Sequence, residues 1–87
     1  MTGKLAVSKS GHDKGHLFVI VGEDDRYVFL ADGVLKTVER PKKKNRKHVQ
    51  VIKDLPRTVE HILGQNIPVE NLEIKRAIKL YLKQEEN

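Results

Sequence analysis

The segment Arg40-Pro41-Lys42-Lys43-Lys44-Asn45-Arg46-Lys47-His48 carries the densest chemistry in the chain: six of its nine side chains hold a fixed positive charge and none is acidic. Crowding like charges raises the electrostatic energy of a folded chain, and a bound polyanion relieves it. For a small basic domain, RNA is the commonest such polyanion. Arg40 and Arg46 have the planar fork that grips two phosphate oxygens, whereas the lysines act as point charges. Neutralising five or six phosphates would release counterions, so that log K falls with log salt at a slope of about −3.5 to −5. A surface charge run is more often a solvated face than a site. Here the run falls between two segments that read as strands, and its density exceeds what solubility requires.

A second group, Lys9, His12, Lys14 and His16, surrounds Gly11 and Gly15. The glycines mark a turn. Such a loop either offers backbone N–H groups, ammonium groups and imidazoles to RNA or is a plain structural turn. His12 and His16 stand four apart, a metal-pair spacing on a helix. The two glycines argue against a helix and no third ligand is evident, so no metal is expected. Glu23-Asp24-Asp25 reads as a solvated hairpin tip, since catalytic carboxylates need a cleft and a substrate-facing partner. No Ser/His/Asp grouping or phosphate-cradling glycine loop can be defended, so neither an enzyme nor a cofactor is expected. The aromatics are Phe18, Tyr27, Phe29 and Tyr81. Alternation within strands assigns the phenylalanines to a core and leaves Tyr27 as the better base-stacking candidate. Recognition of RNA backbone and shape is therefore expected, rather than reading of bases.

The elements that must position these groups are short. The 87 residues allow one domain, with 38% hydrophobic and 33% charged residues and a net charge of +5. The charge is uneven: residues 1–53 hold twelve Lys/Arg against six Asp/Glu, and residues 54–87 hold five against six. There is no cysteine, hence no disulfide and no thiolate metal site. No apolar run approaches the length of a membrane span and no signal-like apolar core follows Met1, so a cytoplasmic protein with no membrane partner and no small-molecule substrate is expected.

Residues 4–9 alternate at Leu5 and Val7 and read as a first strand, His16–Val21 as a strong second, and Tyr27–Leu30 as a third beyond the turn Gly22–Arg26. Ala31-Asp32-Gly33 is a further turn. Residues 34–39 read as a fourth strand and His48–Ile52 as a fifth, with the basic run as the loop between them. The period then changes to that of a helix. Leu55, Val59, Ile62 and Leu63 define one helix, with Pro56 in its first turn and Gly64 at its end. Ile74, Ala77, Ile78, Tyr81 and Leu82 define a second, starting within Pro68–Asn71 with Asn71 as a cap.

Residues 4–30 resemble the KOW motif: Leu5-Ala6-Val7-Ser8 as its first strand, Gly11-His12-Asp13 as its loop, Gly15 as its fixed glycine and Leu17-Phe18-Val19-Ile20-Val21 as its second strand. Asp32-Gly33, Lys36-Thr37-Val38 and the basic run ending in Lys47-His48 extend the similarity. They resemble the archaeal and eukaryotic large-subunit ribosomal protein family numbered fourteen, over about residues 3–52. A stand-alone bacterial-type KOW protein is the closer likeness. The resemblance implies a mainly β fold: a small five-stranded SH3-like barrel over residues 1–54, followed by a two-helix extension over 55–87 packed on it. It also implies a non-catalytic RNA-binding role in translation, with rRNA, another structured RNA or the ribosome as partner. Its RNA-binding residues would be Lys9, His12, Lys14, His16, Arg40, Lys42, Lys43, Lys44, Arg46, Lys47 and His48. The competing expectation is a protein-interaction adaptor in transcription or translation, using the apolar stripe of residues 74–82.

Overall fold

Strand-forming runs near the N-terminus and helix-forming runs near the C-terminus build two layers. The computed structural model describes residues 2–65 and 69–85. Strands β1 (Leu5–Ser8), β2 (Leu17–Glu23), β3 (Tyr27–Ala31), β4 (Lys42–Asn45) and β5 (Val49–Val51) form one antiparallel sheet in the order β4-β3-β2-β1-β5. A 3₁₀ turn, Arg46–His48, joins β4 to β5, and helices α1 (Arg57–Gln65) and α2 (Asn71–Glu85) follow. No helix among the described residues is long and apolar enough to cross a membrane.

Side chains alternate across a strand, so the run in β2 supplies both faces of the sheet. Leu5, Val19 and Ala31 lie on one face and pack against Val59 and Leu63 of α1 and Ile74 and Ala77 of α2. Ala6, Phe18, Ile20, Val28 and Leu30 lie on the other, where Val49 and Val51 of β5 pack against them and, among the described residues, no helix contributes an apolar side chain. Both clusters are almost fully removed from water. Of the apolar stripe on α2, Ile74 and Ala77 are buried, Ile78 and Tyr81 half-buried and Leu82 exposed. The stripe therefore holds the helix to the sheet, except at its end.

Two expectations need correction. Residues 34–39 form no strand, and the fourth strand is Lys42–Asn45, inside the basic run. The reason is where the backbone amides go. Asp32 Oδ1 accepts from the N–H of Val34 and of Lys36, both at 2.9 Å, and Asn71 Oδ1 accepts from the Val38 N–H at 2.9 Å. Amides committed to side chains cannot join a ladder. The basic run is accordingly not a loop: Lys42 pairs with Leu30, Lys43 with Phe29, Lys44 with Val28 and Asn45 with Tyr27. His48 belongs to the 3₁₀ turn and β5 begins at Val49.

Smaller differences concern the ends of elements. β2 extends to Glu23, and α1 passes through Gly64 to Gln65. α2 starts at Asn71, but the Asn71 side chain grips the 34–39 segment, taking the Val38 N–H and donating to Glu39 Oε1 at 2.9 Å. The Glu70 carbonyl accepts the first helical bond, from Ile74. Pro68 lies outside the described residues. Gly33 closes this junction with φ of +81°, and a Cβ there would lie 2.5 Å from the Asn71 carbonyl oxygen. Only glycine lets the 32–36 turn sit on the start of α2.

Candidate nucleic-acid interface

Strand alternation splits the lysine run. Lys42 and Lys44 share a face with Leu30 and Val28, members of the helix-free core, whereas Lys43 shares the opposite face with Phe29. The two inward lysines meet Asp13 from the β1–β2 loop. Lys44 Nζ donates to Asp13 Oδ1 and to the Ser10 carbonyl, both at 2.8 Å. Lys42 Nζ forms an ion pair with Asp13 Oδ2 at 2.5 Å. Ser8, itself buried, donates its hydroxyl to Asp13 Oδ1 at 2.7 Å. The Lys44 and Asp13 side chains retain only 10% and 15% of their exposure. Burial opposes ionisation of Asp13, but the two ammonium groups and the Ser8 hydroxyl outweigh it and hold the carboxyl well below the usual range.

Lys42 and Lys44 thus bind the β1–β2 loop to β4 from positions 29 and 31 residues beyond Asp13. Both ammonium groups are thereby engaged within the fold. Arg46 is also engaged: its Nη2 donates to Glu23 Oε1 at 2.6 Å, and Nε and Nη2 both donate to the Asp24 carbonyl. The acidic hairpin tip is therefore more than solvated. Asp24 Oδ1 accepts from the N–H of Tyr27 and of Arg26 at 2.7 and 2.9 Å, which holds its carboxyl below the usual range.

The remaining cations gather on either side of the 3₁₀ turn. Lys9 donates its N–H to the His48 carbonyl at 2.8 Å, which sets Lys9 and the exposed His48 and Lys47 side by side. His12 and Lys14 are exposed on the loop that Asp13 anchors. On the other side, Lys43 Nζ sits 4.3 Å above the Tyr27 ring, and Asp25, Arg26, Tyr27, Asn45, Arg46 and Lys47 line a shallow recess. Arg26 escaped the sequence reading. Its signal was the hairpin itself, since pairing of Tyr27 with Asn45 brings the residue before Tyr27 to the end of the basic run. Among the described residues, Lys9, Lys14, Arg26, Lys43 and Lys47 make no ion pair.

Two expected members stand apart. Arg40 is exposed two residues before β4, its N–H donating to the Thr37 carbonyl and hydroxyl, and among the described residues no hydrogen bond or ion pair joins it to the β1–β2 loop. His16 turns away from the loop: its Nε2 lies 3.2 Å from Asp32 Oδ2 and its ring packs at 4.9 Å on Phe18. Phe18 is 2% exposed and cannot stack a base, and Tyr27 already carries a cation over one face. The arrangement can hold a phosphodiester backbone by charge. It has no exposed aromatic platform of the kind that reads bases.

Comparison with protein-family models and with curated proteins yields no match.

Proposed function

We propose that the chain is a non-catalytic RNA-binding protein whose sheet closes into a small SH3-like barrel of the KOW type and holds RNA by its phosphate backbone. Two observations support closure. β4 and β5 lie at opposite edges of the sheet, yet only the 3₁₀ turn Arg46–His48 separates them. Five flat strands would put those edges about 19 Å apart at the usual spacing, whereas three residues of 3₁₀ helix rise only about 6 Å. The second is the helix-free core of Ala6, Phe18, Ile20, Val28 and Leu30, which only a sheet curled over itself can keep dry.

The observation that carries the RNA reading is the Asp13 anchor. Through Lys42 and Lys44 it fixes the β1–β2 loop beside β4, so that Lys9, Lys14 and Lys47 occupy set positions. A preorganised array of cations spends less entropy on binding than a mobile tail. Its partner class is structured RNA such as rRNA, in keeping with a ribosome-associated protein of translation. The test is titration of an rRNA hairpin into the protein and into a variant with Lys9, Lys14 and Lys47 changed to Glu. The variant should lose binding while keeping its melting temperature. Equal affinity in the two proteins would dismiss the proposal.

A further inference from the structure

Every exposed large apolar side chain among the described residues lines one groove. Val34 and Leu35 on the 32–36 turn are 63% and 81% exposed, and Leu72 and Leu82 on α2 are 59% and 49% exposed. Single exposed apolar residues are ordinary; convergence of all of them is not. The groove encloses about 700 Å³ between the turn and the outer side of α2.

The turn cannot relax to bury its leucine. Asp32 Oδ1 takes the amides of Val34 and Lys36, the Lys36 carbonyl takes those of Asp32 and Gly33, and Gly33 rests against the Asn71 carbonyl. Leu35 is held out in water by a fixed backbone.

The charge of the groove is one-sided. Lys75, Arg76 and Lys79 lie along it. Its one carboxylate, Asp32, is already committed to two amides and to His16, and therefore offers little to cancel the α2 cations. Leu72 and Leu82 stand about 15 Å apart along the helix, with the three cations between them. The walls are otherwise aliphatic, and their one ring, the His16 imidazole, is already packed on Phe18 and held by Asp32, which disfavours base stacking and hence nucleic acid. The four apolar side chains are divided between the 32–36 turn and α2 on either side of the groove rather than forming one continuous apolar helix face, which disfavours insertion into a lipid surface.

We propose that this groove receives an acidic amphipathic segment of a partner protein. Two apolar anchors, spaced about three helical turns apart, would seat near Leu72 and Leu82 under Leu35, and carboxylates between them would meet Lys75, Arg76 and Lys79. His16, expected on sequence grounds to touch RNA, belongs to this surface. The groove is separate from the cations around the 3₁₀ turn, so the proposal does not depend on RNA binding.

The test is a titration of isotope-labelled full chain followed by amide NMR shifts. The probes are a synthetic amphipathic helix with Leu anchors and Glu between them, the same peptide with Lys in place of Glu, phosphatidylserine-containing vesicles, and the rRNA hairpin. The Glu peptide should move amides of residues 34–36 and 72–82. The exposed double change Leu35→Ser with Leu72→Ser should weaken it by about tenfold or more. Lys75→Glu with Lys79→Glu should do the same and transfer preference to the Lys peptide, an exchange that loss of fold cannot mimic. Lys47→Glu should leave peptide binding unchanged. No response to the Glu peptide at millimolar concentration would overturn the proposal. So would indifference to the groove variants, or groove amides that answer vesicles or RNA instead.

Discussion

Lys44 and Lys47 are three residues apart in the same basic run, and the structure gives them opposite roles. Lys44 Nζ is spent on Asp13 and the Ser10 carbonyl, with its side chain 10% exposed, whereas Lys47 is exposed and makes no ion pair among the described residues. If Lys9, Lys14, Arg26, Lys43 and Lys47 each neutralise one phosphate, the salt slope on single-stranded RNA should be about −3.5. Affinity would then fall about 100-fold between 50 and 200 mM salt. Lys47→Ala should reduce the slope to about −2.8, a fall of about 50-fold over the same range, at unchanged stability. Lys44→Met should leave the slope unchanged. It should instead cost about 1–3 kcal/mol of folding free energy, because two charge-assisted hydrogen bonds vanish and a largely buried carboxylate keeps fewer partners. For a domain of this size each kcal/mol lowers the melting temperature by about 4–8 °C. Fluorescence anisotropy at four salt concentrations, with thermal melts of the same samples, reads both quantities. Should Lys44→Met flatten the slope as Lys47→Ala does, the division of the run by strand alternation is wrong.

Three further outcomes follow from the same contacts. Gly33→Ala should destabilise by more than about 2 kcal/mol, since left-handed strain adds to a clash of the new Cβ with the Asn71 carbonyl oxygen at 2.5 Å. Gly15→Ala, with φ of +85° and open space at its Cβ, should cost only the strain of about 1 kcal/mol; equal costs in denaturant melts would refute the close packing of the turn on α2. Asp13 has a folded pKa far below its unfolded value of about 3.9, so the unfolded chain binds more protons as pH falls from about 5 toward 2 and the stability Asp13 contributes is lost there. The stability gap between the protein and Asp13→Asn, about 1–3 kcal/mol at neutral pH, should therefore shrink across that window; a gap independent of pH would contradict the anchor. Asn71→Ala should cost about 1–2 kcal/mol and speed hydrogen exchange at the Val38 amide, which otherwise keeps its acceptor at 2.9 Å.

How far the sequence could show these roles depends on the range of the interactions. β2 was legible because Leu17-Phe18-Val19-Ile20-Val21 suits a strand buried on both faces, and α1 and α2 because their apolar residues recur at helical spacing. The basic segment was legible as charge but not as structure. Lys42-Lys43-Lys44-Asn45 has little strand propensity of its own, and what stabilises it there is Asp13, far away in sequence. Residues 34–39 misled in the opposite sense. Val34, Leu35 and Val38 have the composition of a strand, yet Asp32 claims the amides of Val34 and Lys36, and Asn71 claims that of Val38.

The same contacts decide what the charges can do. A run of like charges in sequence becomes a uniform patch only if the backbone presents every side chain to one side. A strand presents alternate residues to opposite sides. Lys42 and Lys44 are therefore drawn inward to a carboxylate while Lys43 goes outward over Tyr27, and the free cations come from elements that no sequence window contains together: Lys9 and Lys14 from the first loop, Arg26 from the hairpin, Lys47 from the 3₁₀ turn. The inward lysines still serve the surface, because the loop they fix carries two of those cations. A ligand gripping this protein would thus read Lys42 and Lys44 only through the positions of Lys9 and Lys14.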